Sequence, residues 1–82
     1  MKFESEDLIR RRLAAHIQSG RKRNSWTQQM LADRSQLPRS YIADLEGARR
    51  NPSLRSLLRV STALGVAIHE LLREFPKTVG EL

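Results

Sequence analysis

Residues 27–46, TQQMLADRSQLPRSYIADLE, leave little choice about what this chain can fold into. They hold two short amphipathic runs and a break. Leu31 and Ala32 give the first run an inward face, and Ile42 and Leu45, three apart, do the same for the second. Ser35, Gln36 and Leu37 interrupt the pattern. Pro38 pushes Leu37 into an extended conformation, so the first helix must end before it. Pro38 itself suits the first position of a new helix, where a missing N–H costs nothing. The spacing therefore predicts two helices joined by a tight turn, the second over residues 38–46.

Arg39, Ser40, Ala43 and Asp44 point away from Ile42 and Leu45. They are short or polar, with an Arg able to donate two bonds at the helix start. That is chemistry suited to the major groove of duplex DNA.

At this point Thr27, Gln28, Leu31 and Ala32, then Arg39-Ser40-Tyr41-Ile42, Leu45-Glu46 and Arg50-Asn51-Pro52-Ser53, resemble the helix-turn-helix of phage-repressor and Cro-type (Xre family) regulators. The likeness runs from about Leu13 to Leu72. It implies an all-α fold: a compact five-helix, lambda-repressor-like DNA-binding domain over residues 1–75, with 76–82 as a short tail. This chain departs from the family at Gln36, where Gly is usual. A Gln kept in the left-handed conformation costs about 1 kcal/mol.

The resemblance also implies roles for single residues. Arg21 is expected to pair with Glu46 at the end of the second helix. Gln28 is expected to bond a DNA phosphate and brace that helix. The loop after it, with Arg49, Arg50 and Asn51, is expected on the sugar–phosphate backbone, where contacts fix register without reading sequence. Arg39, Ser40, Ala43 and Asp44 are the base-reading candidates. Arg39 fits guanine O6 and N7, Ala43 a thymine methyl. Asp44 either accepts from cytosine N4 or holds Arg39 or another Arg in place. Tyr41 either packs at the helix edge or sets its hydroxyl near phosphate.

Charge supports a polyanionic partner. The 82 residues carry a net charge of +6. Residues 10–59 hold twelve Arg or Lys and three acids, giving +9, and the remainder holds three against six, giving −3. A basic middle with acidic ends suits nucleic acid on one face, although a solvated basic surface would give the same count. No apolar run approaches a membrane span, and the basic residues lack the bulky apolar partners of an interfacial helix. There is no Cys, so no disulfide or thiolate site arises. The N-terminus lacks a signal-peptide core, and a cytoplasmic location is expected.

Other elements follow from caps and periodicity. The first helix should begin near Ser5, with Glu6 and Asp7 at its positive end. Leu8, Ile9, Leu13 and Ile17, with Ala14, form its stripe. Arg10, Arg11 and Arg12 sweep about 200° of surface and are either solvated or partly on the DNA backbone. Gly20 weakens the helix near its end. Lys22, Arg23 and Arg34 are further cations within reach of phosphate. Trp26 precedes a Thr27 cap and faces Leu31 as a hydrophobic staple, an arrangement preferred to stacking on a base. Gly47 is expected just past a helix end. Leu54, Leu57, Leu58, Ser61 and Leu64 repeat as the core face of a fourth helix closed by Gly65. A fifth helix, about 67–74, offers Ile68, Leu71 and Leu72 and is stopped by Phe75-Pro76.

No catalytic constellation is present. His16 and His69 stand alone, without Cys or paired carboxylates at ligand spacing, and no Gly-rich phosphate loop occurs. No enzyme activity, metal or cofactor is expected. The expected function is sequence-specific double-stranded DNA binding by a transcription regulator. It would act as a homodimer on a palindromic operator, resembling the stand-alone controller proteins of restriction–modification systems. Helix five and Phe75 are the candidate dimer surface. The alternative is an antitoxin that binds a toxin protein and represses its own promoter; a co-purifying protein partner would mark it.

Overall fold

The computed structural model describes residues 4–75, and among these all regular structure is helical. Five helices follow in order: α1 (Glu6–Arg23), α2 (Gln28–Ser35), α3 (Arg39–Glu46), α4 (Leu54–Leu64) and α5 (Ile68–Leu72).

The helix starts are capped as their sequences require. Ser5 accepts from the Leu8 N–H, Thr27 from Met30 and Ser53 from Ser56, each at 3.1 Å, so one otherwise orphaned donor per helix is satisfied. Pro38 is the residue before α3, not its first position. It is extended (ψ 147°), and its carbonyl accepts from Tyr41 and Ile42 N–H at 3.0 and 3.3 Å. Arg39 thus opens the helix.

The core is Leu13 and Ile17 from α1, Leu31 and Ala32 from α2, Ile42 and Leu45 from α3, Val60 from α4 and Leu71 from α5. One element departs from the leucine pattern. In α4 the buried residues are Ser56, Val60 and Ser61, while Leu54 and Leu58 are 73% and 55% exposed. Leu58 lies two residues before Val60, so it is turned about 160° from it at 100° per residue. Leu8 departs for the same reason. Five residues before Leu13, it is turned about 140° from it and is exposed.

Gly20 is buried in α1. A Cβ there would meet the Leu64 methyls at 3.2 and 3.3 Å, so α4 approaches α1 through the missing side chain. The turn between α2 and α3 is left-handed at Gln36 (φ 59°), with the Leu37 N–H on the Ala32 carbonyl at 3.0 Å. Gly65 (φ 73°) closes α4 as expected.

The fifth helix stops two residues short of the expected 74. Arg73 is extended, with Arg12 Nη1 on the Leu72 carbonyl at 3.1 Å and His16 Nε2 2.8 Å from the Arg73 carbonyl. Side chains of α1 thus meet carbonyls that the helix end leaves without helical partners. Phe75 follows, stacked on His16 with ring centroids 4.0 Å apart. Pro76, expected to stop the helix, and the tail 76–82 lie outside the described residues.

Candidate nucleic-acid interface

The interface is built on a buried carboxylate. Glu46, the last residue of α3, has a side chain only 4% exposed. Arg21 of α1 reaches it with two bonds, Nε to Oε2 at 2.7 Å and Nη2 to Oε1 at 3.0 Å. The same guanidinium donates through Nη1 to the Trp26 carbonyl at 2.8 Å. Gln28, the first residue of α2, adds its Nε2 to Glu46 Oε1 at 3.2 Å. One carboxylate therefore ties α1, α2 and α3 together. The hydrogen bonds it donates to Glu46 hold the Arg21 guanidinium above its usual range, against the opposing effect of burial. A two-bond Arg–carboxylate pair also fixes orientation, which a Lys would not.

That frame presents α3 with Ile42 and Leu45 buried and Arg39 and Ser40 exposed. Arg39 makes no side-chain hydrogen bond or ion pair with the described residues. Ala43 and Asp44 lie one turn further on and are half-buried.

Asp44 pairs with the following loop, not with Arg39. Arg49 Nε lies 3.3 Å from its Oδ1 and Arg50 Nη2 3.4 Å from its Oδ2. The Arg50 guanidinium sits over the Tyr41 ring, 4.4 Å from its centroid, a cation–π contact. Arg49 also donates to the Ala43 carbonyl at 3.2 Å, near the negative end of α3. Gly47 has an ordinary φ of −91°, and the left-handed residue of this turn is Ala48 (φ 57°). A Cβ at Gly47 would fall 2.0 Å from Arg49 Nη1, the tip of an exposed side chain that can move aside.

Asn51 is joined to α1. Its Oδ1 accepts from Arg10 Nη1 at 2.8 Å, and Arg10 also lies 3.4 Å from Glu6 and 3.6 Å from Asp7. The three consecutive arginines thus have three separate settings. Arg11 pairs with Asp7. Arg12, its side chain 9% exposed, pairs with Glu4 and Glu74 and takes the Leu72 carbonyl, a structural cation that sequence reading left among the solvated or phosphate-facing candidates. Trp26 is half-buried against the core that contains Leu31, and Arg34 covers its ring at 4.4 Å. Its stacking surface is occupied from within the chain.

Residues 17–71 match the family described as Helix-turn-helix. The chain belongs to the helix-turn-helix family. An immunity repressor protein of Bacillus phage phi105 is 43% identical over 58 residues, which are 71% of this chain and 40% of that one. The chain thus spans less than half the length of that relative. Among solved structures, a hypothetical transcription factor from Neisseria aligns with a TM-score of 0.78 at 32% identity, covering 89% of this chain and 84% of that one. The restriction–modification controller protein C.Esp1396I, solved as a tetramer with its natural 35 base-pair operator, aligns with a TM-score of 0.73 at 30% identity, covering 84% and 92%. The antitoxin alternative gains no support from these helix-turn-helix relatives. No helix among the described residues is long and apolar enough to cross a membrane.

Proposed function

We propose that the chain is a sequence-specific, double-stranded DNA-binding transcription regulator acting as a homodimer on a palindromic operator. One observation carries the reading. The inner side of α3 is buried, its end is pinned through Glu46, and its outer side leaves Arg39 and Ser40 exposed. A pre-set helix with an unengaged guanidinium at its first turn matches a reader entering the major groove by its N-terminal residues. Arg39, Ser40, Ala43 and Asp44 are the base-facing set. Gln28, Tyr41, Arg49, Arg50 and Asn51 are the backbone set, and phosphate contacts of this kind make affinity fall with salt.

One reading helix covers only a few base pairs, so two copies are needed, with half-sites about 34 Å apart. The operator complex of C.Esp1396I supports an assembled regulator on duplex DNA. The dimer surface we assign is α5 with Phe75, and the exposed Leu54 and Leu58 of α4 are a second apolar patch assigned to pairing. Phe75 contributes only its outer face, being 49% exposed and stacked inward on His16. Selection of bound duplexes from a random pool tests the whole reading. A palindromic consensus supports it; a pool that shows no enrichment overturns it.

A further inference from the structure

Asp44 stands on α3 beside the base-facing residues, yet each of its oxygens faces a guanidinium of the backbone-facing loop, at 3.3 Å from Arg49 and 3.4 Å from Arg50. All three side chains are open to solvent: 35% for Asp44, 45% for Arg50 and 61% for Arg49. Exposed pairs at such distances are weak and exchangeable. A phosphate oxygen accepts from the same N–H groups, and charge-assisted bonds to phosphate are among the strong ones. The carboxylate therefore engages the same N–H groups for which a DNA phosphate would compete. When phosphate takes the two guanidiniums, Asp44 is left with its charge beside a polyanion and without its partners.

We propose that Asp44 is a specificity-determining residue that works by withholding Arg49 and Arg50 from DNA of the wrong sequence. The proposal rests on the DNA-binding reading above. On an unrelated duplex, moving both guanidiniums to phosphate strands the carboxylate next to like charge. On the operator, an amino group at a base edge, such as cytosine N4, replaces them as its partner. The loop's grip is thereby made conditional on a base that the loop itself does not touch. Arg50 keeps its support from Tyr41 throughout, so the exchange needs no rebuilding of the loop.

The test compares wild type with Asp44→Ala on two fluorescent duplexes, one recovered by random-pool selection and one of unrelated sequence. Affinity for the unrelated duplex should rise about fivefold, the size of one exposed ion pair released. Affinity for the selected duplex should rise less, so the ratio between the two falls. Asp44→Asn, which keeps the shape, should give the same rise on the unrelated duplex. Unchanged or weaker binding to the unrelated duplex makes Asp44 a plain brace and overturns the proposal. An equal rise on both duplexes removes its role in selectivity and also overturns it. Wild type that binds no duplex at low salt sinks the DNA-binding reading itself, before any variant is compared.

Discussion

Arg21 holds both carboxylate oxygens of Glu46, at 2.7 and 3.0 Å, across the junction of α1 with α3. The acid is nearly fully enclosed and the guanidinium is 13% exposed. Removing one partner leaves the other charge inside the protein without compensation. Glu46→Ala should therefore lower stability by about 3 kcal/mol. In a domain of this size that corresponds to a melting temperature lower by more than about 10 °C. The Arg21 guanidinium is raised above its usual range, so its contribution is complete below that range and is lost only as pH rises through it. The loss should accordingly be the same at about pH 6 and pH 9. Circular dichroism melts check both statements, and an unchanged melting temperature would contradict the pairing.

Gln36 occupies a left-handed turn that favours Gly. Gln36→Gly should stabilise the domain by no more than about 0.5 kcal/mol, because the extra freedom of the unfolded chain offsets much of the strain relieved. Urea denaturation is the measurement. A destabilised variant would mean that the exposed Gln side chain holds the turn in some other way.

Arg39→Ala should relax preference at one base position of each half-site. A bidentate contact to guanine is worth about 1–3 kcal/mol of discrimination. Repeating the duplex selection with the variant reads this directly. An unaltered consensus would remove Arg39 from the base-reading set.

Arg50→Ala should weaken binding to the selected duplex and reduce its salt dependence by about one ion, with a smaller loss on an unrelated duplex, where Asp44 holds this guanidinium back. Titrations at several salt concentrations give the slope. A change of sequence preference with an unchanged slope would move Arg50 from the backbone set to the base-reading set.

Leu58→Glu should shift the chain toward monomer, with its melting temperature nearly kept, because Leu58 is 55% exposed in the single chain. Sedimentation over a concentration series measures the equilibrium. Self-association as strong as in wild type would exclude this part of α4 from the dimer surface.

Much of the fold was legible because its signals are local. Caps at Ser5, Thr27 and Ser53 and the glycine at Gly65 mark ends through hydrogen bonds or dihedrals of a few residues. The buried side of α4 was legible only in part. Of the expected face, Ser61 is buried and Leu57 and Leu64 pack against the core, whereas Leu54 and Leu58 are exposed and the buried Ser56 and Val60 lie outside the leucine pattern. Small residues are preferred where helices come close, and sequence alone does not say where that happens. The partners of the candidate site are long-range as well. Arg10 meets Asn51 across 41 positions, and Arg12 meets Leu72 across 60. A run of three arginines shows only that its members face different ways. The division of Asp44 between Arg49 and Arg50 depends on the path of the loop after Gly47, which the residue pattern does not encode.

The separation of α1 from α4 is set by a methyl group that Gly20 does not have. A Cβ there would require the Leu64 side chain to give by a few tenths of an ångström. Leu54 and Leu58 ride on α4, while Arg21, one residue beyond Gly20, anchors α3. On the dimer proposed above, the contact at Gly20 would then bear on the angle between the pairing surface and α3, and a single hydrogen in place of a side chain would act as the caliper for half-site spacing.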